Sequence, residues 1–195
     1  MTGPLSFDDR LETAHSVLGV ALSMLGRSED ADVAIETALA LNQNSAFGWH
    51  AAGLTQMPRP RPDWRAMIAH GEAALQLSPM DPTAHAFQNI ITQEHLIGKM
   101  DHFDPDFIAS ARAAARLRGA PWYLHVLAAT AEIASENEAA ARHEISLALQ
   151  LAPSLTMQSY RKAFWFAYAP EWLALGDANG INQRLVELGL VDDAS

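Results

Sequence analysis

The sequence predicts an all-α fold, a right-handed α-α superhelix of about four helical hairpins closed by a C-terminal capping helix. Two observations predict it. Apolar residues recur at helical spacing along nearly all of the 195 residues, and the alternation of Val, Ile and Thr that marks strands is absent. Four helix ends are also alike: Ala38-Leu39-Ala40-Leu41, Ala74-Leu75-Gln76-Leu77, Ala114-Ala115-Arg116-Leu117 and Ala148-Leu149-Gln150-Leu151. They follow one another at roughly 34 to 40 residues, the period of helical-hairpin repeats.

The first hairpin is expected at about 6–41, with helices near 6–25 and 29–41. It carries Leu18-Gly19, Leu22 and Gly26, then Ala31, Ile35, Ala38 and Leu39. The second, about 45–77, opens with Trp49, Ala52 and Gly53, its helices near 45–57 and 63–77. The third and fourth, about 82–117 and 121–151, pair helices 82–97 with 104–117 and 121–135 with 136–151. Short side chains at Gly19, Ala31, Ala38, Gly53 and Ala74 let paired helices approach closely. Asp81-Pro82 and Asp104-Pro105 each set a capping acceptor before a proline at the first helical position, and Gly26 and Gly98 fall in turns.

Between the helices of the second hairpin lies Met57-Pro58-Arg59-Pro60-Arg61-Pro62. Alternating Pro and Arg favour an extended polyproline conformation with two exposed cations, a ligand for an acidic or aromatic surface. The competing reading is a stiff spacer that ends one helix at Pro58 and delivers the chain to Asp63, the cap of the next.

After the repeats, an aromatic-rich cap spans about 154–190, within a single domain 1–195. It concentrates Tyr160, Phe164, Trp165, Phe166, Tyr168 and Trp172, more than one helical stripe hides. A terminal repeat has no neighbour over its apolar face, so these aromatics and a capping helix over Ala178–Leu188, stopped at Gly189, seal the end. Alternatively, Trp165, Phe166 and Trp172 form the buried core of a symmetric homodimer interface.

Composition narrows the function classes. A chain this long with 49% hydrophobic residues buries roughly 70% of its unfolded surface, so disorder is an unnecessary reading. Its net charge is −10, and no run of Lys or Arg forms a stripe to neutralise phosphates, which argues against nucleic acid and anionic membrane as partners. Without cysteine there is no disulfide, no thiolate chemistry and no Cys-type zinc site. No stretch approaches eighteen apolar residues and Met1–Phe7 does not read as a signal peptide, so a cytoplasmic location is expected.

The densest set of potential metal ligands is His95 to Asp106, with Asp101, His102 and Asp104. Nitrogen and oxygen donors of this kind suit zinc or manganese. The spacing lacks the His-Glu-x-x-His arrangement and Asp104 is accounted for as a helix cap, so no metal or other cofactor is expected. Catalytic constellations are missing too: there is no Gly-x-Ser-x-Gly turn and no phosphate-cradling glycine loop. The chain reads as a non-enzyme.

The first unit, the stretch Ala40-Leu41-Asn42-Gln43-Asn44-Ser45-Ala46 before Trp49, the run Ala73-Ala74-Leu75-Gln76-Leu77-Ser78-Pro79-Met80-Asp81-Pro82 and the closing Leu185-Val186-Glu187-Leu188-Gly189-Leu190 resemble a known family. It is the tetratricopeptide (TPR) region that follows catalytic or DNA-binding domains in proteobacterial class III adenylate cyclases and winged-helix regulators. The likeness covers about residues 12–190, and no cyclase catalytic domain is present.

The resemblance implies an inner, concave face built from the first helix of each repeat: Thr13, Ser16, Val20 and Ser23; Phe47, His50 and Leu54; Thr83, Ala86, Ile90 and Gln93; Tyr123, Val126 and Thr130. It implies a protein-binding scaffold in a bacterial signalling or transcriptional system. The face has no cations for a carboxylate tail, so an apolar peptide held by Phe47 and Tyr123 is the expected occupant. The alternatives are that the same residues pack against neighbouring helices or the chain's own C-terminal tail, or that they hold a small molecule in a sensor.

Overall fold

The computed structural model describes residues 7–59, 63–81, 84, 86, 88, 89, 91, 92, 105–163 and 177–192, without the side chains of 7–9 and 161–163. The described residues are all-α, with a single isolated bridge, and none of their helices is long and apolar enough to cross a membrane. They divide into two compact units, Met1–Ile91 and Thr92–Ser195.

In the first unit, α1 (Phe7–Met24) and α2 (Ser28–Leu41) form a hairpin around the turn Leu25-Gly26-Arg27. The turn is closed by Gly26 N–H to Ser23 O and Arg27 N–H to Leu22 O, each 2.9 Å, with Gly26 left-handed at φ 75°. The two helices touch at Gly19, where an added Cβ would lie 2.8 Å from Ile35 Cδ1. α3 (Ala46–Leu54) starts at Ser45, whose hydroxyl caps Gly48 N–H at 2.9 Å. It packs on both α1 and α2.

Glu12, early in α1, lies against Gly48, early in α3; Ser23, late in α1, donates to the carbonyl of Thr55 just past α3 at 2.8 Å. α1 and α3 therefore run parallel, with α2 antiparallel to both. α4 (Trp64–Leu77) then pairs with α3, capped as expected by Asp63, which accepts from Ala66 N–H at 3.0 Å. The core here is made of small residues, among them Ala31, Ala34, Ala38, Ala51, Ala52 and Ala74, with Met57 and Met67 filling between them. Helical backbone recurs at 84, 86, 88, 89, 91 and 92.

The second unit has a larger core. α5 (Pro105–Arg116) begins at the proline expected to start it, and α6 (Trp122–Ala134) and α7 (Glu138–Leu151) form a hairpin. Its turn repeats the hydrogen bonds of the first: Glu136 N–H to Ile133 O at 2.9 Å and Asn137 N–H to Glu132 O at 2.8 Å. Here a non-glycine, Glu136, holds the left-handed position at φ 58°. α8 (Met157–Ala163) and α9 (Ile181–Glu187) complete the unit.

Phe107, Leu124, Leu127, Ile145, Tyr160, Leu185 and Leu190 share one hydrophobic cluster. The capping helix expected over Ala178–Leu188 is shorter, because Gly180 at φ 69° separates a helical turn at 177–178 from α9. Beyond Gly189 the chain returns to α8, with Met157 N–H donating to Val191 O at 2.8 Å.

Candidate functional site

The residues expected on the inner face are placed differently in the two units. In the first unit they lie on the parallel helices α1 and α3. Phe47, His50 and Leu54, at i, i+3 and i+7, share one flank of α3. Phe47 is exposed, while His50 and Leu54 are half-buried. The adjoining side of α3 buries Gly48, Ala51 and Ala52. Trp49 faces α4, its ring centroid 5.6 Å from that of His70 and its indole N–H donating to Gln43 O at 2.9 Å. On α1, Thr13 is exposed and Val20 half-buried against Ile35, Ala51 and Ala52.

Ser16 and Ser23, expected with them, are buried and committed to internal hydrogen bonds. Ser16 Oγ donates to Glu12 Oε1 at 2.7 Å, and Glu12 is itself buried. This flank of α1 is therefore closed by α3 rather than open to a ligand at those two positions.

In the second unit the expectation needs a larger correction. Val126 and Thr130 have no solvent exposure. Every residue from Leu124 to Glu132 is buried, because α6 is enclosed by its neighbours. Val126 shares its cluster with Tyr160 of α8, a fully buried ring 6.4 Å from that of Trp122. Burial pushes the Tyr160 hydroxyl well above the usual tyrosine range, and Thr130 partly opposes that shift. Tyr123 stays half-buried at the start of α6, edge-on to Trp122 at 5.8 Å, and burial raises its hydroxyl as well. For Val126 and Thr130 the reading that survives is packing against a neighbouring helix.

Thr83, Ile90 and Gln93 lie outside the described residues, as do Trp165, Phe166 and Trp172. So does the His95–Asp104 stretch of candidate metal ligands; among the described residues no three His, Asp or Glu converge as a metal site.

The Pro-Arg loop also changes. Residues 55–58 form turns, Met57 is fully buried, and Arg59 is ion-paired to Asp32 of α2. Arg59 is thus a clamp on the hairpin, not one of two exposed cations on an extended segment. The helix stops at Leu54, before Pro58.

Two further constellations were not anticipated. Arg112 of α5 binds Glu132 of α6 with both nitrogens, at 2.6 and 2.7 Å, and Asn137 adds a third donor at 3.1 Å. The guanidinium holds the Glu132 carboxyl below its usual range against the opposing effect of burial. On the surface, Arg184 of α9 bridges to Glu138 of α7 at 2.7 Å beside a shallow cleft of about 250 Å³. Neither this cleft nor a second of about 340 Å³ beside Leu149 touches an expected binding residue.

On the outer side of α1, Leu18 is 48% exposed, and Val17, Met24 and Leu25 are exposed with it. The missed signal is the repeat Ala14-x-x-Val17-Leu18-x-x-Ala21-x-x-Met24-Leu25, whose seven-residue period can serve a partner as well as a core. Compared with protein-family models, curated proteins and solved structures, the chain finds no match.

Proposed function

We propose that this chain is a non-catalytic protein-interaction scaffold of the tetratricopeptide type, acting in a bacterial signalling or transcriptional system. The observation that carries the reading is the first unit's arrangement of α1 and α3 in parallel with α2 antiparallel, in contact through small residues. Helical-hairpin repeats stack in this way, leaving the first helices to line a shared face. Phe47, His50 and Leu54 occupy that position on α3, with Thr13 and Val20 on α1. An apolar flank of this kind suits a peptide docked by its side chains.

The test is capture from native cell extract on the full chain, wild type against Phe47→Asp, with mass spectrometry of what is retained. Phe47 is 40% exposed, so the change leaves the urea midpoint nearly in place. A protein retained by the wild type and lost from the variant supports the reading. Identical retention by both removes this face from it.

A further inference from the structure

α1 is amphipathic with its polarity reversed. The side against α2 and α3 buries Glu12, Ser16, Gly19, Leu22 and Ser23, four of them polar or lacking a side chain. The opposite side exposes Ala14, Val17, Leu18, Ala21, Met24 and Leu25, with Leu25 at 74%. At 100° per residue those six lie within a stripe roughly 120° wide, the width of a core-facing surface.

We infer that this stripe is the contact between two copies of the chain, paired through antiparallel α1 helices. Two observations point to a second copy. The stripe repeats after seven residues, Ala14-Val17-Leu18 and Ala21-Met24-Leu25, the period of helices that pack along their length. About a twofold axis crossing its midpoint, the stripe complements itself in two pairs: Ala14 meets Leu25 of the second copy and Leu18 meets Ala21, a small residue against a large one in both. Patches of this kind reach about 300–600 Å², and two face to face bury about 1,000 Å², where specific association begins.

The test uses the full chain and sedimentation velocity from about 1 to 100 µM. The wild type should approach a dimer mass at the upper end. Leu18→Glu and Leu25→Glu should each weaken association at least about tenfold with unchanged helicity, while Phe47→Asp should leave it intact. Because the chain has no cysteine, Ala21→Cys gives a single thiol that a short bis-maleimide should cross-link between copies. Val33→Cys, on the exposed back of α2, should stay uncross-linked. A wild type monomeric throughout, or a dimer that survives Leu18→Glu, overturns the inference. A dimer abolished by Trp172→Ala but not by either α1 variant also overturns it, moving the contact to the C-terminal aromatics.

Discussion

Replacing Gly19 with alanine sets two effects of opposite sign against each other. In a helix interior alanine is favoured over glycine by about 1 kcal/mol. Against this, the new Cβ would lie 2.8 Å from both Cγ1 and Cδ1 of Ile35 and 3.3 Å from the Ala31 carbonyl oxygen. Carbon pairs sit best at about 3.5–4.0 Å. Turning the end of Ile35 moves Cδ1 but not Cγ1, and the side chain is enclosed by Ala51 and Ala52. Overpacking of this kind costs about 1–3 kcal/mol, so Gly19→Ala should be net destabilising by about 1 kcal/mol. Ile35→Val alone should cost about 1 kcal/mol. In the Gly19→Ala background it should cost less, because the clashing Cδ1 is gone. Urea unfolding of the wild type, both single variants and the double variant measures the coupling. Gly19→Ala stabilising by the full propensity gain, with strictly additive effects in the double variant, would refute the close approach of α1 and α2.

Glu136 occupies a left-handed position that Gly26 fills in the other hairpin turn, so Glu136→Gly should stabilise the second unit by about 0.5–1 kcal/mol, read as a higher urea midpoint. Met57→Ala should cost about 2–4 kcal/mol, because a fully buried side chain is emptied; an unchanged midpoint would return Met57 to an open loop. Acid should destabilise the protein in two stages. Burial holds His70 below the usual 6.5, with Asp63 opposing, so the unfolded chain takes that proton first and stability falls as pH drops below 6.5. Glu132 is held below the usual 4.5, so its contribution is present above that value and is lost as pH falls through its lower folded value. His70→Leu should flatten the first stage. Arg112→Met should flatten the second and cost about 2 kcal/mol at neutral pH, since Glu132 is left without its charged partner. Unfolding midpoints between about pH 3 and 8 check both.

Helix positions were legible because their signals are local. Asp63 before Trp64 and Gly26 after Met24 mark ends that any reading of caps would find, and the observed helices α1, α2, α4 and α7 lie within two residues of the expected bounds. The side each helix turns to its neighbours was less legible, because that depends on what arrives from elsewhere in the chain. A run such as Leu124 to Ala131 is apolar except for His125 and Thr130, which already argues for enclosure on most sides. Assigning Val126 and Thr130 to an open face relied on repeat analogy instead, and α8 supplies the ring that covers them. Arg59 read as free because its partner, Asp32, is 27 residues earlier and no local pattern joins them.

The reversed polarity of α1 has a physical rationale. A buried acid costs several kcal/mol unless its bonding is satisfied, and Glu12 receives hydroxyls from Thr13 and Ser16 beside the start of α3. Ser23 must likewise reach the Thr55 carbonyl. Sliding α1 by one turn along α3 would part Ser23 from the Thr55 carbonyl and carry Glu12, together with its Thr13 and Ser16 partners, away from the start of α3, whereas a purely apolar seam would tolerate the shift. The polar interior of α1 therefore fixes its register. Its apolar exterior adds nothing to that register, and surface positions away from internal contacts tolerate change within about 0.5 kcal/mol. Substitutions along the stripe should leave folding of one chain alone while altering what it meets, and substitutions at Glu12 or Ser23 should do the reverse.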